Sequence, residues 1–406
     1  MQHSLIKAPI SISREILGIS CMLLMVHAYG FAPLQPTLTR EFSSALMQLA
    51  IPVFAIFFAF GAAAIAFLHA IVRLEMCFKA SLICLCAGSV WLSLTTSAEA
   101  FLLTRALTGL GTGIMLPSAL MLASTGVKKA ALSDLIMILF ALAAGITFGP
   151  SLGGWLNSLW GWRFLYRGVG IIAALLVLFT WLSQYRQAAV YDVLHRRAQT
   201  SNILKTVWKG RYIYTFVYLT AVFHSGVFVW ISHYFTSQYG QDEYHIANDL
   251  MIFGLPGLVI TFLLYRYHLD TKVLRILYAG LTVTIAGMLA LMTNLPLWLA
   301  ECLLAVMSIG FGCSQPIFIG ILRLPSTVSP IAIGCCILFA GYGSGPLMMI
   351  ALLDVHLGAA MIFLIILMIL LALVSRLVWR QPAVHAKRRR HVHVGLYSQI
   401  DKQPSL

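Results

Sequence analysis

Helix-breaking residues recur at matched places in the two halves of this chain, always inside long apolar runs. Gly111-x-Gly113-x-x-x-Pro117 is matched by Gly310-x-Gly312-x-x-x-Pro316, and Gly145-x-x-x-Gly149-Pro150 by Gly341-x-x-x-Gly345-Pro346. A third pair, His27-x-x-Gly30 and His224-x-Gly226, falls at nearly the same offset. Gly and Pro weaken a helix, so their presence in apolar segments needs a packing or functional reason. Matching interruptions in two halves imply a duplicated bundle of membrane helices. That pattern is the sequence signature of a secondary transporter whose site lies between the repeats.

The composition agrees. The chain is 60% hydrophobic and 10% charged, with a mean hydropathy of +0.90, against about 25% charged in soluble domains. A span needs roughly 20 apolar residues. Twelve are expected, over 16–36, 47–68, 77–97, 100–123, 134–157, 164–183, 212–236, 247–265, 273–293, 296–321, 328–352 and 357–379. The expected fold is all-α and integral to the membrane, with twelve helices in two pseudo-symmetric six-helix bundles. The first bundle covers residues 1–183 and the second 212–379. The polar stretch 184–211 is read as a cytoplasmic linker, and 380–406 as a basic, disordered tail.

Charge sets the expected orientation. With a cytoplasmic N-terminus, twenty-three Lys and Arg residues fall inside, three outside and one, Arg105, within a span. This follows the positive-inside rule, and an even number of spans places both termini in the cytoplasm. The expected location is the inner or plasma membrane. The net charge of +14 is therefore topological. It is no nucleic-acid footprint, because the bases flank spans and do not gather on one soluble face. The first span reads as an anchor: its apolar stretch is too long for a cleaved signal and no clean cleavage site follows. All eight Cys lie in or at the edge of spans, which argues against disulfides. The run Lys387-Arg-Arg-Arg390-His391-x-His393 reads as a solvated tail that attracts anionic lipid. No metal site and no cofactor are expected.

The fifth span, Gly145-Ile-Thr-Phe-Gly149-Pro150-Ser-Leu-Gly153-Gly154, resembles the antiporter motif of the major facilitator superfamily. Gly161-Trp162-Arg163-Phe164 is similar to the start of the sixth span in its drug:proton antiporters. Arg105-Ala-Leu-Thr-Gly109-Leu-Gly111 and Pro33-Leu-Gln-Pro36 resemble that branch in the fourth and first spans. The family's Asp-Arg-x-Gly-Arg loop after the second span is absent. Here the loop reads His69-Ala-Ile-Val-Arg73-Leu-Glu75 and keeps only its charged character, while Asp270 survives in the second-half equivalent. The resemblance implies a divergent member of the drug:proton antiporter branch.

The motifs have physical content of their own. Gly145, Gly149 and Gly153 form one helical stripe that admits close backbone approach, and Pro150 permits a kink. With Gly154, and with Gly341, Gly345 and Pro346 in the second half, they are expected to act as a hinge or seal between the halves. Arg105 in mid-span costs at least about 2.5–3.5 kcal/mol, so it should face a cavity or a partner. By resemblance it neighbours the substrate or proton site. The first span holds no carboxylate, which leaves Glu301, His27 and His224 as proton-coupling candidates. Asp134 is expected to cap the fifth helix. Phe223 and Phe228, beside His224, are candidate cavity aromatics; an aromatic, weakly charged cavity suits amphipathic molecules.

The function expected is proton-coupled export of a small amphipathic organic molecule by alternating access. Its partners are then the substrate, protons and the lipid bilayer, with the protein acting as a monomer. The alternatives are a specific metabolite or siderophore carrier in either direction, and a membrane sensor without transport. An enzyme is not expected, because no His-x-x-x-His, Asp-rich motif or Ser/His/Asp set is present.

Overall fold

In the computed structural model, residues 12–43, 45–68, 71–124, 128–182, 203–266, 273–315 and 328–380 are described, and among them no strand occurs. The tail expectation and most of the linker fall outside these residues. The first half contains α1 (Arg14–Tyr29), α2 (Gln35–Phe42), α3 (Ala50–Leu68), α4 (Leu74–Leu94), α5 (Ala98–Thr112), α6 (Met115–Ser124), α7 (Lys128–Trp160) and α8 (Trp162–Leu182). The second contains α9 (Ile203–Tyr239), α10 (Glu243–Arg266), α11 (Val273–Leu291), α12 (Leu297–Gly312), α13 (Val328–Leu353) and α14 (Leu357–Arg380).

Among the described residues, eleven stretches are long and apolar enough to cross a membrane, and α12 is a shorter apolar helix. Eleven of the twelve expected spans are thus present at full length. Of the span expected over 296–321, residues 297–312 are helical and 316–321 lie outside the described residues. The first span is broken because Gly30 ends α1, its N–H bonding to the Val26 carbonyl at 2.9 Å. Pro33, which has no N–H to give, then opens a short 3-10 turn before α2. Two boundaries differ from the sequence reading. Residues 203–211 are helical and continue into the seventh span as α9. Asp134 is no cap: α7 begins at Lys128, and Asp134 pairs with Arg14 of α1 at 3.6 Å.

Packing repeats with the sequence. In the first half α1 packs on α7, α3 on α5, and α4 on both α5 and α8. In the second, α9 packs on α13, α10 on α12, and α11 on both α12 and α14. The halves meet along two seams, α7 against α10 and α3 against α13. Large apolar side chains on outward faces, such as Phe60, Ile171, Leu178 and Leu373, have no water-soluble core to enter and are suited to lipid. Glu41 is held by the start of α8, accepting from Trp162 Nε1 and from Arg163 Nη1, each at 2.7 Å. The turn before it needs Gly161, whose φ is +82°.

Candidate functional site

Between the halves lies a cavity of about 100 Å³. From the first half α7 supplies Leu142, Ile146 and Thr147; from the second come His224 of α9, Phe253 and Leu258 of α10, and Tyr342 of α13. Ser308, Phe311 and Gln315 complete the wall. No Asp, Glu, Lys or Arg is among the lining residues. Polar groups there are already partly engaged. Ser308 Oγ accepts from the Gly257 N–H at 2.8 Å, and Thr261 Oγ1 donates to the Gly312 carbonyl at 3.3 Å.

His224 stands in an aromatic box, with ring centroids at 5.0 Å from Phe228, 5.3 Å from Phe311 and 6.2 Å from Tyr342. Phe228 also meets Tyr29 of the first half edge-on at 5.8 Å, and Tyr29 meets Tyr342 at 5.6 Å. Of these rings Tyr342 lines the cavity, while Phe228 and Tyr29 are not on its wall and pack behind it. Phe223 is one step removed, buried against Phe311 at 4.8 Å.

The structure separates His27 from His224 in kind. His27 is fully buried inside the first bundle, not on the cavity wall. Its Nδ1 shares a hydrogen with Ser89 Oγ at 2.9 Å, its ring packs on Phe54 and Tyr166, and its Nε2 has no partner. Repeat position is shared by the two histidines; surroundings are not.

Arg105 is also fully buried and off the cavity wall. It donates through Nη1 to the His27 carbonyl at 3.1 Å, Nη2 to the Ala28 carbonyl at 3.2 Å and Nε to the Ala50 carbonyl at 3.2 Å. Its guanidinium lies over Phe54 at 4.5 Å. The first two carbonyls are those that a helix leaves unpaired at its C-terminus, and a cation there is favoured by the helix dipole. Arg105 therefore ties the broken end of α1 to α3 and α5.

The glycine stripe faces inward as well. Side chains built at Gly145 and Gly153 would overlap the Met22 and Gly30 carbonyl oxygens, and one at Gly149 would sit 3.1 Å from Val26 Cα, all on α1 or just after it. Gly341 and Gly345 do the same against Tyr218 and Val222 of α9. The sequence reading placed these residues between the halves. The stripe instead joins helices of the same half, because i, i+4, i+8 spacing puts all three glycines on the α7 face turned to α1. Gly154 alone reaches across, against Ala247 and the Glu243 carbonyl. Pro150 and Pro346 lie inside α7 and α13.

A carboxylate not singled out from the sequence, Glu243, organises the α7–α10 seam, and a second, Asp249, is buried further along α10. Glu243, at the start of α10, accepts hydrogen bonds from Thr37 Oγ1, from Arg40 Nη2 at 2.9 Å and from Asn157 Nδ2 at 2.8 Å, all first-half residues. One turn on, Ser151 Oγ donates to the Ala247 carbonyl at 3.1 Å and Trp155 Nε1 to Asn248 Oδ1 at 2.8 Å. Together these close one end of the seam. Asp249 is 1% exposed and its Oδ2 has no partner. It lies within electrostatic reach of half-buried Glu301 on α12. The available signal was an acidic residue two positions inside an apolar run, which is costly in a membrane and so points to a role.

Comparison with known proteins fits this geometry. A search of curated proteins by sequence finds no match. The human organic anion transporter MFSD10 (TETRAN) is similar in structure, with a TM-score of 0.70 at 14% identity, covering 89% of this chain and 98% of that one. A bacterial homolog of the human lysosomal transporter Spinster, solved inward-facing and unoccupied, gives 0.66 at 14% identity, covering 91% and 96%. Residues 17–330 match the Major Facilitator Superfamily. The chain is thus a multi-pass membrane transporter, not an enzyme, and belongs to the major facilitator superfamily.

Proposed function

We propose that this transporter exports a small amphipathic organic molecule by proton-coupled alternating access. In this reading both termini are cytoplasmic, the membrane is the inner or plasma membrane, and the Glu243 end of the seam is the outer one. The observation that carries the reading is a cavity lined by both halves and shut at one end by bonds between them. Alternation breaks the Glu243 bonds and exposes the cavity to the other side. At about 100 Å³ the cavity is smaller than the ~300–1,000 Å³ that encloses a drug-sized ligand. The halves must part to admit one.

The walls define the cargo. Phe253, Phe311 and Tyr342 offer apolar and ring faces; Thr147, Gln315 and His224 offer hydrogen bonds. Among the described residues nothing acidic lines the cavity to neutralise a cation, and His224 is the one lining group that can become positive. This favours neutral or weakly anionic amphipaths, and the similarity to an organic anion transporter supports the same class. A second reading is a carrier for one metabolite, such as a siderophore; the small cavity and its directed hydrogen-bonding groups favour it. In the export reading, cells expressing the chain accumulate less of a fluorescent amphipathic anion than controls, and a protonophore restores accumulation. A fluorescent lipophilic cation run in parallel should respond less. Unchanged levels of both dyes would reject broad export in favour of the narrow carrier.

A further inference from the structure

The Gly257–Ser308 hydrogen bond fixes the register of two parallel helices, α10 and α12. Counting back toward the Glu243 end, Asp249 is two turns before Gly257 and Glu301 two turns before Ser308. At 1.5 Å per residue these are rises of about 12 Å and about 10 Å. The spacings keep Asp249 on the stripe of Phe253 and Gly257, and Glu301 on the face of Ser308. Both stripes line the cavity further down. The two carboxylates therefore share one level, between the cavity and the closed end of the seam.

Their surroundings leave Asp249 unmatched. Of the elements packed against α10, α12 brings Glu301 as the ionisable group at the level of Asp249. Trp155 and Asn157 of α7 are engaged by Asn248 and Glu243, and Thr37 and Arg40, beyond α1, by Glu243. From α9, Tyr234 and Tyr239 donate to the Leu291 and Leu295 carbonyls, while His224 faces the cavity. No base among the described residues pairs with Asp249 in an ion pair. An ionised carboxylate buried without a partner is costly, and a second carboxylate nearby adds repulsion.

We propose that Asp249 and Glu301 form a two-carboxylate proton site that holds one proton between them and releases it when the seam opens at the Glu243 end. Binding one proton takes the pair from a charge of −2 to −1, as one carboxylate becomes a carboxylic acid and no bond to a heavy atom changes. Opening admits water to Asp249, which removes the cost of ionisation and frees the proton on that side. The coupling role rests on the proton-coupled reading above; the site itself rests on the helix register and the burial of Asp249.

The test is infrared titration of the full chain reconstituted in phosphatidylcholine vesicles, in H2O and D2O. Near neutral pH the wild type should show a carboxylic-acid carbonyl band that shifts in D2O. Asp249→Asn should lose it, Asp249→Glu should retain it, and Glu301→Gln should move its titration midpoint. A band unchanged in Asp249→Asn, or a midpoint indifferent to Glu301→Gln, overturns the pair. So does a carbonyl signal displaced by sodium and insensitive to D2O, which would make the site one for a metal cation. Efflux of the amphipathic anion from the same vesicles separates the two readings. A band lost with Asp249, beside efflux indifferent to the pH gradient, supports the acid pair and removes proton-coupled export.

Discussion

At the scale of single residues, what a charge does in this bundle depends on which backbone groups need it. Arg105 stood out in the sequence as the one base within a span, but its task became visible only when α1 was seen to break at Gly30. Removing it leaves the His27 and Ala28 carbonyls buried without donors, at about 1–3 kcal/mol each. Arg105→Ala should therefore lower the thermal midpoint in detergent and abolish dye efflux together. Arg105→Lys should recover only part of both, since one ammonium cannot span three carbonyls on two helices. A midpoint unchanged in Arg105→Ala would show that the clamp carries no weight. The expectation that Arg105 neighbours the substrate or proton site was drawn from resemblance; its three bonds go to backbone within one half, one of them to the carbonyl of His27.

At the scale of the helix, the glycine stripe of α7 and its counterpart on α13 set how closely each half can pack. The periodicity was legible from residue numbers alone; the helix that it faces was not, because any of several neighbours could have occupied the groove. Gly153→Ala should destabilise the fold by about 1–3 kcal/mol, as overpacking against backbone does, since its methyl would meet the Gly30 carbonyl. Gly168→Ala on α8 is the control. Nothing lies within 4 Å of the added methyl, so it should be neutral or stabilising by up to about 1 kcal/mol. Equal thermal midpoints for the two variants would contradict the close approach of α1 and α7.

At the scale of the whole molecule, the Glu243 bonds bias one closed arrangement of the halves. Glu243→Gln keeps the shape and removes the charge that Arg40 answers. Losing a charge-assisted bond should weaken closure by about 1–2 kcal/mol, and each 1.4 kcal/mol is about tenfold in population. With the eight native cysteines replaced, Ala247→Cys reports the change, since Ala247 is buried against Gly154. A membrane-impermeant maleimide applied to intact cells should label it about tenfold faster when Glu243 is Gln. Equal labelling rates would remove the latch from the transport cycle. What the sequence determined by itself was everything written in periodicity and composition: apolar runs long enough to span, a repeat in the helix breakers, and hence the helical fold. Those signals are local, because the bilayer forces each span to satisfy its own backbone hydrogen bonds. Only the tertiary structure decided which face met which. It turned the glycines toward α1, enclosed His27 while leaving His224 on the cavity, and set Asp249 at the level of Glu301. Contacts between distant spans follow from packing in three dimensions, and the spacing along one helix does not encode its neighbour.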